Sequence, residues 1–158
     1  MAYNQSTLRQ IANITQGIRI DTDPILTSPN NRKVLFNVVG GRCIITGLVG
    51  IVTTVIGGVA CAVTWDSTPT VGTGTAVNLS AGVGDINALE EGGHVSLTGT
   101  FAGNTLVTLA GAGQLQARPF IVAPGTIGIT MAGISLTGAM RYKIWYIPAE
   151  RGAYIEAA

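Results

Sequence analysis

From Cys43 to Trp65 the chain runs 23 residues without a charged side chain, and β-branched residues and glycines dominate that run. Ile44, Ile45, Val49, Ile51, Val52, Thr53, Thr54, Val55, Ile56 and Val59 carry two heavy atoms on Cβ, which restricts χ1 and suits a pleated surface. Gly47, Gly50, Gly57 and Gly58 fall among them, each costing a helix interior about 1 kcal/mol relative to alanine. The run is long enough to cross a bilayer as a helix. Its flanks, Arg42 before and Asp66 after, give little positive-inside signal. Uncharged stretches recur at Pro119–Met140 and, His94 apart, at Gly92–Ala117, so the feature belongs to the whole middle of the chain. Two buried strands joined at Gly57–Gly58 therefore fit the run better than a spanning helix.

Composition agrees. Charged residues are 11% of the chain, against roughly 25% in an average soluble domain, and hydrophobic residues are 47%. That balance excludes intrinsic disorder. Nine Lys and Arg against eight Asp and Glu leave no excess cation to neutralise phosphates, which argues against nucleic acid as a partner. The 22 glycines and 19 threonines suit turns and sheets rather than helices. A length of 158 residues allows one compact core.

Beyond Lys33, apolar runs alternate with Gly-rich breaks. Strands are expected near Lys33–Val39, Arg42–Ile56, Val59–Asp66, Thr75–Leu79, His94–Thr100, Thr105–Leu109, Phe120–Val122, Gly125–Met131 and Ser135–Ile147. Many short strands with no convincing helix between them predict an all-β fold, an antiparallel β-sandwich of jelly-roll-like type, over residues 33–158. The last strand is the clearest: Met140, Tyr142, Ile144 and Tyr146 share one face, expected to be core, and Arg141, Lys143, Trp145 and Ile147 share the other.

Residues 1–32 read differently, as an N-terminal extended arm. Leu8, Ile11, Ile14 and Ile18 recur at spacings of three and four, giving weak helical periodicity, and Asp23-Pro24 and Ser28-Pro29-Asn30-Asn31 signal turns. Charge is uneven: net +3 over residues 1–42, −3 over 43–140 and +1 over 141–158. The arm either packs along its own body or reaches a neighbour. On the second reading its apolar anchors and cations, Leu8, Arg9, Ile11, Ile14, Ile18 and Arg19, contact another protein or subunit.

No constellation for catalysis emerges, and no cofactor or metal is expected. His94 is the single histidine, and Glu90, Glu91 and His94 are read as a polar loop before a strand rather than as metal ligands. Gly72-Thr73-Gly74-Thr75 and Gly111-Ala112-Gly113 lack the Lys-Ser/Thr pair of a phosphate cradle. Cys43 and Cys61 are either paired in a disulfide or two small buried thiols. Trp65 and Trp145 are read as core or interface anchors rather than a sugar platform. The first residues, Met1-Ala2-Tyr3-Asn4-Gln5-Ser6, show no secretory leader, so synthesis in a cytoplasm is expected. So few charges beside so many apolar positions favour a chain covered by copies of itself or by a large partner.

The block Lys33–Thr54, KVLFNVVGGRCIITGLVGIVTT, resembles the opening of small β-rich virion proteins encoded by tailed bacteriophages. Ala123–Ile127, APGTI, and Thr137–Pro148, TGAMRYKIWYIP, with the short Ala-rich terminus, resemble their ending. The leading segment has no counterpart in that resemblance. The family is that of capsid decoration, or cement, proteins of the phage head. The resemblance implies a non-enzymatic structural protein on the outside of the virion capsid, made in the host cytoplasm. Its implied partners are the major capsid protein and further copies of itself, as a dimer or trimer. Two other readings stand beside it. One is a virion receptor- or carbohydrate-binding module using loops near Trp65 or His94; the other is a single-pass membrane protein spanning near Cys43–Trp65.

Overall fold

A computed structural model describes residues 10, 15–26, 31–58, 60–82, 84–108, 111–132 and 137–158. Its strands are β1 (Ile18–Asp21), β2 (Ile25–Leu26), β3 (Arg32–Val39), β4 (Cys43–Gly57), β5 (Ala62–Pro69), β6 (Val77–Asn78) and β7 (Ser80–Ala81). They continue with β8 (His94–Leu97), β9 (Gly103–Thr108), β10 (Phe120–Val122), β11 (Gly125–Ala132), β12 (Thr137–Pro148) and β13 (Tyr154–Ala157). The chain is an all-β sandwich. One sheet has the order β1-β12-β4-β8-β9-β7, with β10 also beside β4 and β2 beside β12; the other has the order β13-β3-β11-β5-β6. All pairings are antiparallel except β7 with β9.

The uncharged run that dominates the sequence becomes β4 and β5, and these lie in different sheets. The expected junction at Gly57–Gly58 thus carries the chain from one layer to the other rather than closing a hairpin. No helix among the described residues is long and apolar enough to cross a membrane. The long strands β4 and β12 form the centre of the larger sheet, in a register that places Lys143 opposite Val49 and Trp145 opposite Gly47.

Alternation along the strands supplies the core. Met140, Tyr142, Ile144 and Tyr146 of β12 are buried, while Arg141 is exposed and Lys143, Trp145 and Ile147 are half-buried, as the sequence predicts. From the smaller sheet, Phe36, Val63, Trp65, Ile127 and Ile129 face them. Trp65 meets Tyr142 edge to face across the layers, with ring centroids 5.5 Å apart.

Both sides of the sandwich are closed by polar contacts between elements. On one side, Thr105 of β9 donates through Oγ1 to the Val63 carbonyl at 2.9 Å, and the backbone N–H of Trp65 donates to Ser80 Oγ at 2.9 Å. These bonds explain why Ser80 and Thr105 are buried although polar. On the other, β1 adds to β12, and beyond it the Thr22 N–H donates to the Tyr142 carbonyl at 2.9 Å while Thr22 Oγ1 accepts the Tyr142 N–H at 3.1 Å. Residues 18–26 of the expected arm therefore carry β1 and β2, which pair with β12 at one edge of the larger sheet, and Ile20 and Ile25 pack on the core.

Candidate functional site

Two surfaces stand out. The first is an apolar patch that bridges the layers. In β10 alternation turns Val122 inward and Ile121 outward, leaving Ile121 59% exposed. The connection between β8 and β9 places Phe101, 56% exposed, against Phe120 with ring centroids 5.8 Å apart. Val77, on the edge strand β6, is 47% exposed. With Pro69, Leu79 and Ala123 these side chains line a shallow depression. Isolated exposed hydrophobes are ordinary on a protein surface; contiguous ones around a concavity mark a contact site.

The second surface is the outer face of the larger sheet. Residues 111–119, between β9 and β10, fold back over that face. Ser96 Oγ donates to the Gln114 carbonyl at 2.7 Å, and the Ala117 N–H donates to the Thr98 carbonyl at 3.0 Å. Gln116 is buried, its Nε2 donating to the Ile45 carbonyl at 2.9 Å and to the Arg118 carbonyl at 3.0 Å. Between this segment and β12 runs a groove in two parts. A depression of about 180 Å³ is lined by Val49, Ile51, His94, Gln114 and Lys143, and one of about 280 Å³ by Thr15, Gln16, Thr46 and Gly47. Trp145 and Leu115 line both. The Trp145 ring lies close over Gly47: a Cβ there would stand 3.1 Å from Cε3, so glycine at this register position gives the indole its place on the sheet. Thr46 Oγ1 donates to the Gln16 carbonyl at 2.6 Å, tying the segment before β1 to the rim.

The residues singled out in the sequence distribute as follows. Ile18 is 36% exposed at the start of β1, and Arg19 projects outward with Nε 3.0 Å from Asp21 Oδ1. Leu8, Arg9, Ile11 and Ile14 lie outside the described residues. Trp65 is core, which the sequence left open, and Trp145, which alternation places on the non-core face of the last strand, is half-buried. Glu90 and Glu91 lie in the loop before β8, and His94 begins that strand, its imidazole forming part of the groove wall. Among the described residues no three His, Cys, Asp or Glu side chains gather around a metal-sized site. Cys43 and Cys61 are both buried and both free. Burial, then the nearby Asp85 charge, pushes the Cys61 thiol up to about 11, and burial, then Glu150, raises that of Cys43. Buried thiols with raised pKa are poor nucleophiles.

Sequence reasoning missed the Phe101, Ile121 and Val77 patch because its members come from three separate segments; the available signal was Phe101 standing in the Gly99–Gly103 turn and Ile121 at the middle of a three-residue strand bounded by Pro119 and Pro124. No family model, no curated protein and no solved structure matches the chain.

Proposed function

We propose that this chain is a structural virion protein that binds the outside of a phage capsid and stabilises contacts between major capsid subunits. The observation that carries the reading is the apolar patch of Phe101, Ile121 and Val77, which offers desolvatable anchors around a depression on a low-charge sandwich. Aromatic and aliphatic anchors of this kind supply most of the energy of protein association, and weak individual contacts multiply when several copies bind one lattice. The sequence resemblance described above supports the identity of the partner. The leading segment, with Leu8, Arg9, Ile11, Ile14, Ile18 and Arg19, is a second contact to capsid or neighbouring subunit in the same proposal, and self-association as a dimer or trimer belongs to it too.

The test is co-sedimentation with capsids lacking the protein, followed by imaging of the particles. Density on the shell, between or on capsomers, is expected. Phe101→Glu and Ile121→Glu are each expected to weaken attachment about tenfold or more, the loss typical of a removed interface anchor. Attachment unchanged in both variants, or density confined to the tail, would overturn the reading. Deletion of residues 1–14, which leaves β1 in place, tests the arm separately: unchanged attachment would reject a contact through Leu8, Arg9, Ile11 and Ile14.

A further inference from the structure

The groove beside Trp145 has a lining unlike that of the apolar patch. It combines a half-buried tryptophan, a half-buried lysine, the His94 imidazole, and Gln16, Gln114, Thr46 and Thr15. We infer that this groove binds a saccharide bearing a carboxylate, a uronic or sialic acid residue, with Trp145 stacking on a sugar ring and Lys143 pairing with the acid.

Four features of the groove support this. An indole held against the sheet presents one broad apolar surface at little entropic cost, which suits the C–H side of a pyranose. Lys143 makes no ion pair among the described residues, and no acidic side chain lines either depression. Asp21, opposite Lys143 in the β1–β12 register, has Oδ1 3.0 Å from Arg19 Nε, an ion pair without hydrogen-bond geometry. A lysine ammonium at a groove with no acidic lining residue is stabilised by an incoming carboxylate through a charge-assisted hydrogen bond. The side chains of Gln16, Gln114, Thr46 and Thr15 add amide and hydroxyl groups that both donate and accept, which matches sugar hydroxyls. One lysine rather than a cluster of guanidinium groups matches a single carboxylate rather than a phosphate chain.

The groove and the apolar patch share no lining residue, so this inference stands apart from capsid attachment. The chain has two tryptophans, which gives a direct readout. The full chain, labelled with ¹⁵N, is titrated with N-acetylneuraminic acid, glucuronic acid and glucose while the two indole N–H signals are followed, Trp145→Phe assigning them. Saturable movement of the Trp145 signal with at least one acid is expected, with the Trp65 signal still and glucose weaker. Lys143→Met is expected to weaken binding of the acid about tenfold or more, the worth of a hydrogen bond to a charged group. Absence of any response to both acids would overturn the inference. So would equal affinity for glucose together with no effect of Lys143→Met. Should Trp145→Phe fail to fold, Lys143→Met, on the outer face of the sheet, decides the matter by itself.

Discussion

Replacing Gly128 by alanine isolates one packing decision in the smaller sheet. Arg32 of β3 reaches across β11 to Asp66 of β5, with Nε 2.7 Å and Nη2 2.6 Å from Oδ1 and Nη2 3.0 Å from Thr126 Oγ1. Gly128 lies beneath the guanidinium. A Cβ there would stand 2.8 Å from Cζ and 2.9 Å from Nε and Nη2. Non-bonded carbon contacts sit near 3.5–4.0 Å, so the guanidinium must lift by roughly 0.6–1 Å, and its bonds to Asp66 lengthen. The Asp66 side chain is only 8% exposed and cannot recover full hydration. Losing one hydrogen bond to a charged group costs about 1.5–3 kcal/mol. Alanine in place of glycine in a strand returns about 0.5–1 kcal/mol. The net expectation is a destabilisation of about 1–2 kcal/mol, or roughly 2–8 °C in Tm for a domain of this size.

The sign is the sharper test. Arg32→Ala removes the three atoms nearest to that Cβ, so Gly128→Ala should stabilise that background by about 0.5–1 kcal/mol. Urea denaturation of the four proteins of this cycle gives the coupling, expected near 2 kcal/mol. Equal destabilisation in both backgrounds, or stabilisation of the natural chain, would refute the assigned geometry.

Other outcomes are equally definite. Trp65→Ala should cost about 3–5 kcal/mol in the same denaturation assay, because a fully buried ring between the sheets leaves a cavity. Tyr142→Phe should cost less than about 1.5 kcal/mol, since among the described residues the hydroxyl donates only to Met140 Sδ, at 3.7 Å. In the folded state the Cys61 thiol titrates at about 11, above its ordinary value of 9.0. The folded chain therefore holds that proton more tightly than the unfolded one. The stabilisation is fully present below pH 9 and is lost as pH rises toward 11. Denaturation midpoints across that window should fall more steeply for the natural chain than for Cys61→Ala, and parallel curves would count against the assignment. A thiol reagent should label neither cysteine in the native protein and both in denaturant; rapid native labelling would contradict their burial.

Some of this was written in the order of residues. Strands β3, β4, β10, β11 and β12 are legible because each is long or sharply bounded, with apolar side chains at the period of a pleated backbone and Gly or Pro at its ends. The inward and outward faces of β12 follow from alternation, so Trp145 could be separated from the core while Trp65 could not. The short strands β1, β2, β7 and β13 carry no such pattern. They are fixed by partners far along the chain, as β13 is by β3 and β7 by β9. Both candidate surfaces were illegible for the same reason: Phe101, Ile121 and Val77, like Lys143, Leu115 and Gln16, become neighbours only when the sheets form.

The order of residues is enough to dictate that this chain makes sheets and little else. Local sterics of β-branched residues and glycines act within a few bonds, and a shortage of charge leaves most side chains seeking cover. Which layer each strand joins was decided only in three dimensions. The Cys43–Trp65 run divides between the two sheets because β4 finds β12, β8 and β10 while β5 finds β11 and β6. Hydrogen-bond pairing and burial are satisfied by partners distant in sequence, and no local signal names them.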